Sequence, residues 1–319
     1  MKTKTIGATL KYLREKSGLT QKELVREDSP TERLCDLSHY AKIEQGRKSV
    51  GSQLLFQILD RLGVSFAEFE VIQHGGGLQR FKDEFEQLWE IGYKKDYQTV
   101  GAMLDALKSK DYCNTDVLSI MQALQLADGV LLSSRDKKHN ESLTLLYNAL
   151  KTTAASVFTE RNKLDYEIIT SIAFGINEYR IMNMIANVIE ILGNHQYATE
   201  VSKAIVASLE NDSTSRDIKK KLLPSTYFNL SIKILRECDY AGALPIIERG
   251  LEFCYSTNEI KVLGKLLWNK GEVIHALHDS IQASSWFEKA YHHSILCGNS
   301  SLAKNMKDIA LERYNISLG

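Results

Sequence analysis

A short helix with one buried edge is predicted by the segment Asp36-Leu37-Ser38-His39-Tyr40-Ala41-Lys42-Ile43-Glu44-Gln45-Gly46-Arg47. The carboxylate of Asp36 suits the first position of a helix, where it accepts hydrogen bonds from free backbone N–H groups. Gly46 suits the left-handed conformation that ends a helix. Tyr40 and Ile43 lie three residues apart, so they share one face, which we expect to be buried. The residues that point away from that face are Leu37, Ser38, His39 and Lys42.

The neighbouring sequence predicts that this helix is the third of five short ones. Ile6, Leu10 and Leu13 recur at helical spacing before Gly18 closes the first helix. A capping box, in which the first and fourth residues satisfy each other's backbone N–H groups, opens two of the others. The later helices are predicted to begin at the capping box Thr20–Glu23, to span Asp36–Gln45 and Gln53–Leu62, and to begin at the capping box Ser65–Glu68.

Over about residues 5–70 this order of motifs resembles the phage-repressor class of helix-turn-helix domain, with Leu19-Thr20-Gln21 opening the second helix. The resemblance implies that the third helix enters the major groove, where each base pair shows a distinct hydrogen-bonding pattern. It implies that Leu37, Ser38, His39 and Lys42 face bases or nearby phosphates, and that Gln21 and Arg47 hold the sugar-phosphate backbone. Glu44 is expected to pair with Arg14. The alternative is a domain that only mediates dimer contact.

One departure from this class lies between Val25 and Asp36, which are farther apart than its tight turn allows. Residues 26–33 are predicted to be an insertion, in which Pro30 stops the second helix. The insertion forms either a longer loop or an extra turn. It leaves the identity of the third helix unchanged but makes its position uncertain.

Composition predicts two domains and a cytoplasmic location. The 319 residues contain 40 Lys and Arg against 40 Asp and Glu, whereas residues 1–64 carry a net charge of +4. The five cysteines form no CxxC pair, and no apolar run approaches the roughly 18 residues of a membrane span. The first residues predict no signal peptide. His74-Gly75-Gly76-Gly77 predicts a linker at residues 73–78, with a hinge at 75–77, between a DNA-binding domain at 1–72 and a second domain at 79–319.

The second domain has a repeated helical spacing. Asp239-Tyr240 is followed by Ile247 and Gly250, and the same intervals recur forty residues later from Ser280 through Phe287 to Ala290. Further echoes run from Asp96 through Leu104 to Leu107, from Ser142 through Leu146 to Ala149, and from Gln196-Tyr197 through Ala204 to Ala207. Such spacing is typical of tetratricopeptide repeats. The fold class is therefore all-α, a helix-turn-helix domain followed by a right-handed tetratricopeptide-like superhelix.

Asparagines occupy a matching place in two of these repeats. Asn229 lies eleven residues before Tyr240, Asn269 lies eleven before Ser280, and Asn183 lies on the preceding helix pair. A side-chain amide both donates and accepts, so it can bond the backbone of an extended peptide. The alternative is that each asparagine is a surface or inter-helix residue, and both possibilities remain open.

The whole layout resembles the peptide-sensing Rap–Rgg–NprR–PlcR–PrgX superfamily of Gram-positive bacteria, and most of all its PlcR-like members. The segments that carry the resemblance are Lys42-Ile43-Glu44, Asn183-Met184-Ile185-Ala186, Gly264–Leu267 and Lys270–Glu272. It implies a homodimeric quorum-sensing transcription regulator that binds double-stranded operator DNA and a short signalling peptide. It also implies that Asn183, Asn229 and Asn269 hold the peptide backbone, with Asn187 substituting for Asn183 if the register shifts. Lys95 either meets an acidic group of the peptide or is a solvated loop charge.

No catalytic motif of the GxGxxG, Walker A, HExxH or GxSxG type occurs, so neither an enzyme nor a cofactor is expected. His275 and His278 lie three residues apart without a further ligand at metal spacing, so no metal site is expected. The main rival to a peptide sensor is an interaction protein whose repeats hold a partner protein. A weaker rival is a phosphatase or kinase modulator.

Overall fold

Helices account for nearly all of the regular structure in this computed structural model, which describes residues 6–26, 33–73, 77–93, 95–113, 117–161, 163–211, 214–277 and 279–319. They are α1 (Ile6–Lys16), α2 (Gln21–Val25), α3 (Leu37–Glu44), α4 (Ser52–Leu62), α5 (Phe66–Gln73), α6 (Gly77–Tyr93), α7 (Tyr97–Lys108), α8 (Leu118–Ser134), α9 (His139–Ala154), α10 (Tyr166–Ser171), α11 (Ile176–Ile191), α12 (His195–Glu210), α13 (Arg216–Arg236), α14 (Tyr240–Thr257), α15 (Leu263–Ala276), α16 (Ser280–Leu296) and α17 (Ser300–Tyr314). Short 3-10 turns lie at Asp111–Cys113 and Ala155–Val157.

The chain forms two compact units, residues 1–124 and 125–319. The first contains α1–α7, and the second contains α9–α17 together with most of α8. The boundary predicted at residues 73–78 stays a prediction, and residues 74–76 of its hinge lie outside the described residues. The all-α fold class, with a helix-turn-helix domain and tetratricopeptide-like repeats, is confirmed.

The helices α1–α5, which we call the head, pack around one apolar core. Leu10, Leu24, Tyr40, Ile43 and Ile58 are among its fully buried members. The first capping box is present as predicted, since Glu23 N–H donates to Thr20 Oγ1 at 3.2 Å and Thr20 N–H donates to Glu23 Oε2 at 2.7 Å. Five helices with the predicted order therefore enclose a single core.

Two local predictions about the segment before α3 are wrong. Pro30 does not stop α2, because α2 already ends at Val25, where Arg26 takes a left-handed conformation (φ 48°). Residues 27–32 of the insertion lie outside the described residues. The Asp36 carboxylate does not cap α3; it accepts instead from Arg33 Nη2 at 2.5 Å. The end of α3 is as predicted, since Gly46 has φ 70° and its N–H bonds to the Ile43 carbonyl at 2.9 Å.

A recurring turn joins successive helices along the chain. A left-handed residue is followed at once by the residue that caps the next helix. The left-handed positions are Lys95, Lys137, Gly193, Cys238 and Gly298. The capping residues are Asp96, Lys138, Asn194, Asp239 and Asn299. This shared turn gives α7, α9, α12, α14 and α17 the same starting point.

The fourth residue after each cap is buried and mostly small, which lets the helices approach closely. These residues are Val100, Ser142, Ala198, Ala243, Ala283 and Ala303. The register predicted for α12 is wrong by two residues, because the helix begins at His195 and not at the position of Tyr197. Ala198 and Ile205 are therefore its buried contacts, and Ala207 is exposed.

The second unit has its first helices of consecutive pairs side by side. α11 packs against α13, and α13 packs against α15. α12 packs against α11 and α13, and α14 packs against α13 and α15. The side of α13 that faces away from this packing carries Asn229, Ile232 and Arg236, none of which is fully buried. We call this side of α11, α13 and α15 the inner face.

Candidate DNA-binding and peptide-binding sites

The position of α3 is fixed by one buried carboxylate. Glu44 accepts from Arg14 Nε at 2.6 Å and Nη2 at 3.1 Å, and from Gln21 Nε2 at 2.6 Å. Arg14 Nη1 also donates to the Leu19 carbonyl at 2.7 Å. The ion pair expected between Glu44 and Arg14 is therefore present, and the carboxylate joins α3 to both α1 and α2.

The electrostatics of this cluster keep Glu44 ionised. Burial alone would raise the pKa of Glu44, but the hydrogen bonds from Arg14 and Gln21 outweigh it, so that pKa lies below its ordinary value. The pKa of Arg14 is raised, chiefly by its hydrogen bonds to Glu44. Burial raises the pKa of Tyr40, the neighbouring phenol. The ionised Glu44 and Arg14 therefore hold α3 against α1 and α2.

The exposed side of α3 is a polar stripe made of Ser38, Lys42 and Gln45, which we call the recognition face. The three residues are spaced at i, i+4 and i+7, so they lie along one line of the helix. Arg47 and Lys48 are exposed just beyond its end. The recognition face offers a hydroxyl, an ammonium and an amide, which are groups that hydrogen-bond base edges and phosphates.

The other predicted DNA-binding residues have mixed surroundings. Leu37 is half-buried and packs against the head core, and His39 is half-buried at the border of the recognition face. The side chain of Gln21 is directed at Glu44. Gln45 is not among the predicted DNA-binding residues, because it marks the end of the predicted helix. Its spacing from Ser38 was the available signal.

The predicted peptide-binding asparagines are not equivalent. Asn183 is half-buried, and its Nδ2 donates to the Tyr179 carbonyl and to Thr226 Oγ1, both at 3.1 Å. Asn187 is half-buried and its Oδ1 accepts from Lys233 Nζ at 2.8 Å.

Asn229 and Asn269 share a repeat position but differ in surroundings. Asn229 is half-buried on the inner face and makes no side-chain hydrogen bond within the described part of the chain. Asn269 is only 3% exposed, and its Nδ2 donates to Ser231 Oγ at 2.8 Å. The surroundings of Asn269 are those of an inter-helix residue, whereas those of Asn229 leave its amide available.

Lys95 lies in the recurring turn, at its left-handed position (φ 61°), and it is exposed. Its N–H bonds to the Gly92 carbonyl at 2.9 Å, which ends α6. The backbone of Lys95 therefore has a structural task that does not depend on a ligand.

A charged cluster that the sequence did not reveal lies between α11 and α13. Glu190 is buried and accepts from Arg236 Nη1 at 2.9 Å, with His195 Nδ1 at 3.0 Å. Lys233 is only 3% exposed. Burial lowers its pKa to about 8, with Glu190 opposing that shift. No sequence signal marked Lys233, since a lysine in a helix is usually solvated.

No group of three His, Cys, Asp or Glu side chains in the described ranges is placed to hold a metal ion. None of the helices that the structure describes is long and apolar enough to span a membrane.

Comparison with known proteins identifies a family domain within the second unit. Residues 147–297 match the model of the RNPP family C-terminal domain. No curated protein matches the chain.

Solved structures match nearly the whole chain at low identity. Bacillus thuringiensis PlcR in complex with the peptide PapR7 and DNA has 18% identity and a TM-score of 0.66, covering 95% of this chain and 98% of that one. ComR from S. thermophilus, in complex with DNA and its signalling peptide ComS, has 13% identity and a TM-score of 0.54, covering 96% and 98%. The pheromone receptor Rgg2 of Streptococcus dysgalactiae has 15% identity and a TM-score of 0.52, covering 95% and 97%.

These identities show a shared fold, and the domain match adds the family. Residues 147–297 carry the RNPP family C-terminal domain, and the rest of the chain shares the fold of these solved structures.

Proposed function

We propose that the protein is a cytoplasmic, homodimeric transcription regulator that binds operator DNA through α3 and holds a short signalling peptide on its inner face. The observation that carries the proposal is the recognition face, a polar stripe on a helix whose other sides are buried or anchored by Glu44. The amide of Asn229, together with the amide oxygen of Asn183 and the amide N–H groups of Asn187, has no partner in the described chain and supports the peptide part.

In this proposal α3 lies in the major groove. Ser38, Lys42 and Gln45 contact base edges, and Arg47 contacts a phosphate. Leu37 and His39 contribute only through their exposed edges, since both are half-buried. Gln21 approaches the backbone of the DNA through its N–H at the start of α2. Two-fold pairing places two such helices about 34 Å apart on a near-palindromic site.

The peptide part of the proposal assigns a role to each asparagine according to which atoms of its side-chain amide have no partner within the described part of the protein. Asn183, Asn187 and Asn229 bond the backbone of an extended peptide, and Asn269 supports α13 through Ser231. Lys95 belongs to the first unit, and its predicted contact with an acidic group of the peptide stays a prediction. Packed helices lie about 8–10 Å apart, so α11 and α15 are about 16–20 Å apart, which about five or six extended residues span.

The DNA part is tested by selecting a duplex from a random-sequence library and measuring its affinity for variants. We expect Lys42→Ala and Gln45→Ala to weaken binding of the selected site by about tenfold each. Arg47→Ala should lower the slope of log affinity against log salt by about 1. Lys203→Ala, which removes an exposed lysine from α12, is the matched charge control. If Lys42→Ala and Lys203→Ala lowered the affinity for the selected duplex equally, α3 would not be the recognition helix.

The peptide part is tested with a synthetic library of six- to eight-residue peptides, followed by thermal unfolding. We expect one peptide class to raise the melting temperature of the wild type and not that of Asn229→Ala. Asn148→Ala, an exposed asparagine on α9, is the control. If no peptide raised the melting temperature while a protein partner co-purified, the repeats would hold a partner protein instead.

A further inference from the structure

Asn183 and Asn187 lie one turn apart on α11, and each uses only one end of its amide. Asn183 Nδ2 donates to the Tyr179 carbonyl and to Thr226 Oγ1, which leaves its oxygen without a partner in the described chain. Asn187 Oδ1 accepts from Lys233 Nζ, which leaves its N–H groups without one. Neither unused atom is among the buried polar atoms that lack a partner, so both reach solvent.

Chemistry fixes the orientation of both amides. A backbone carbonyl can only accept, so the atom of Asn183 that faces the Tyr179 carbonyl must be the nitrogen. An ammonium can only donate, so the atom of Asn187 that faces Lys233 must be the oxygen. The assignment therefore does not depend on telling nitrogen from oxygen by their positions alone.

Lys233 has no other hydrogen bond within the described residues. It is 3% exposed, and with a pKa of about 8 it carries its charge at neutral pH. A buried ammonium with a single amide partner is costly, because its remaining N–H groups are removed from water without replacement. The one hydrogen bond that Lys233 makes in return, within the described residues, is the bond that holds the side chain of Asn187.

We infer that Lys233 is a positioning residue that holds the Asn187 amide with its N–H groups toward the ligand, while Thr226 and the Tyr179 carbonyl hold the Asn183 amide with its oxygen toward the ligand. The inference rests on the proposed function and deepens it. The two amides present one acceptor and one donor in a fixed order. The Asn183 oxygen accepts from a backbone N–H of the peptide, and the Asn187 N–H donates to a backbone carbonyl. Neither bond depends on the side chains of the peptide.

The spacing suits an extended peptide. Side chains at i and i+4 on a helix have Cβ atoms about 5–6 Å apart. Along one edge of an extended chain, N–H and C=O groups alternate and the pattern repeats about every 6.6 Å, or two residues. One carbonyl and the next N–H on the same edge can therefore meet Asn187 and Asn183 together.

The test compares variants of Lys233 in the full chain. Lys233→Met keeps the length of the side chain but removes the donor, and Lys233→Gln keeps a donor without the charge. Ser231→Ala, on the same helix but bonded to Asn269, controls for general loosening of α13. Two quantities are measured, the order of the Asn187 side-chain amide by NMR without ligand, and the affinity of a peptide selected from the synthetic library by calorimetry.

We expect Lys233→Met to make the Asn187 amide mobile and to weaken peptide binding by about tenfold. Lys233→Gln and Ser231→Ala should stay within about threefold of the wild type. Methionine matches the length of the lysine side chain, and Glu190 keeps its bonds to Arg236 and His195, so we expect the fold to be preserved. Thr226→Val provides a second variant, which should mobilise the Asn183 amide and weaken binding in the same way.

Two results would overturn the inference. One is an Asn187 amide that stays ordered in Lys233→Met. The other is an equal loss of affinity in Lys233→Met and Lys233→Gln, since Lys233 would then act by its charge and not by orienting the amide. If the wild type bound no library peptide, the proposed function would fail separately, and the NMR measurement would still decide the role of Lys233.

Discussion

Glu44 is the residue on which the placement of α3 depends most. Its side chain is 2% exposed, and its partner Arg14 is 9% exposed. The same arginine has a second carboxylate neighbour, Glu15, at 3.6 Å, but that side chain is 55% exposed. A single arginine thus has a buried partner and a solvated one, which makes the two pairs directly comparable.

We expect Glu44→Gln to lower the free energy of unfolding of the head by about 3 kcal/mol or more, because it leaves Arg14 charged and buried without its partner. Glu15→Gln, the matched control, should cost less than about 1 kcal/mol because solvent screens that pair. Hydrogen exchange of the α1 and α3 amides in the full chain measures both. Similar losses of unfolding free energy in the two variants would show that burial does not determine how much each ion pair stabilises the head.

The lowered pKa of Glu44 also predicts how the head responds to acid. The folded pKa lies below the ordinary value of 4.5, so the contribution of Glu44 is complete above about pH 4.5 and is lost as the pH falls through the folded value. We expect the wild type to lose stability in this range and Glu44→Gln to lack that part of the loss. Hydrogen exchange between pH 5 and pH 3 compares the two. Parallel curves would contradict the assignment.

Residue-level prediction from the sequence succeeded where two charges complement each other and failed where the partner is neutral or hidden. The pair of Glu44 with Arg14 was implied by the resemblance to the phage-repressor class, and the structure contains it. The hydrogen bond from Gln21 to Glu44 was not implied, because an amide is equally suited to DNA. Lys233 was not predicted at all, because its burial results from packing between α11 and α13 and not from its own sequence neighbours.

At the scale of elements, the contact between α1 and α3 is made by Gly7. A Cβ atom on this residue would lie 1.9 Å from the Ile43 carbonyl oxygen, which belongs to the backbone of α3. The contact therefore requires glycine for steric reasons. It sets the distance between the two helices.

We expect Gly7→Ala to push α1 away from α3 and to destabilise the head by about 1–3 kcal/mol, the usual cost of overpacking. Gly51→Ala is the control, because its φ is −70° and a Cβ there meets nothing within 4 Å. Hydrogen exchange of α1 and α3, together with affinity for the selected duplex, reports the effect. If Gly7→Ala and Gly51→Ala changed hydrogen exchange and duplex affinity equally, the close contact of Gly7 with the backbone of α3 would be contradicted.

The elements that the sequence predicted well are those whose ends have a local cause. The capping box at Thr20 and the glycine at Gly46 place two helix ends correctly. The end of α2 was not predictable, because Arg26 adopts a left-handed conformation that its residue type does not favour. The register of α12 failed for a related reason, since Tyr197 resembles Tyr240 in type but its hydroxyl accepts from the Leu164 N–H at 2.8 Å.

At the scale of the whole molecule, the proposed sensor has to couple its two ligands. Linkage requires that a peptide which changes the affinity for DNA by some factor has its own affinity changed by DNA by the same factor. A peptide that bound both states of the protein equally would change nothing. The coupling can therefore be measured either as the effect of the peptide on DNA affinity or as the effect of DNA on peptide affinity.

We expect the selected peptide to change the dissociation constant of the selected duplex, and the duplex to change that of the peptide by an equal factor. Fluorescence anisotropy and calorimetry give the two values. Asn229→Ala should keep the DNA affinity of the ligand-free wild type but lose the peptide effect. A variant with altered DNA affinity in the absence of peptide would show that Asn229 serves the fold.

The contact at Gly7 has a mechanical consequence. No side chain lies between the two backbones there, so no change of rotamer can absorb a displacement of one helix relative to the other. The salt bridge from Arg14 to Glu44 ties the same two helices a second time. A partner that bound the outer surface of α1 would therefore move α3 together with α1. In the proposed complex it would change how α3 meets DNA without contacting α3 itself.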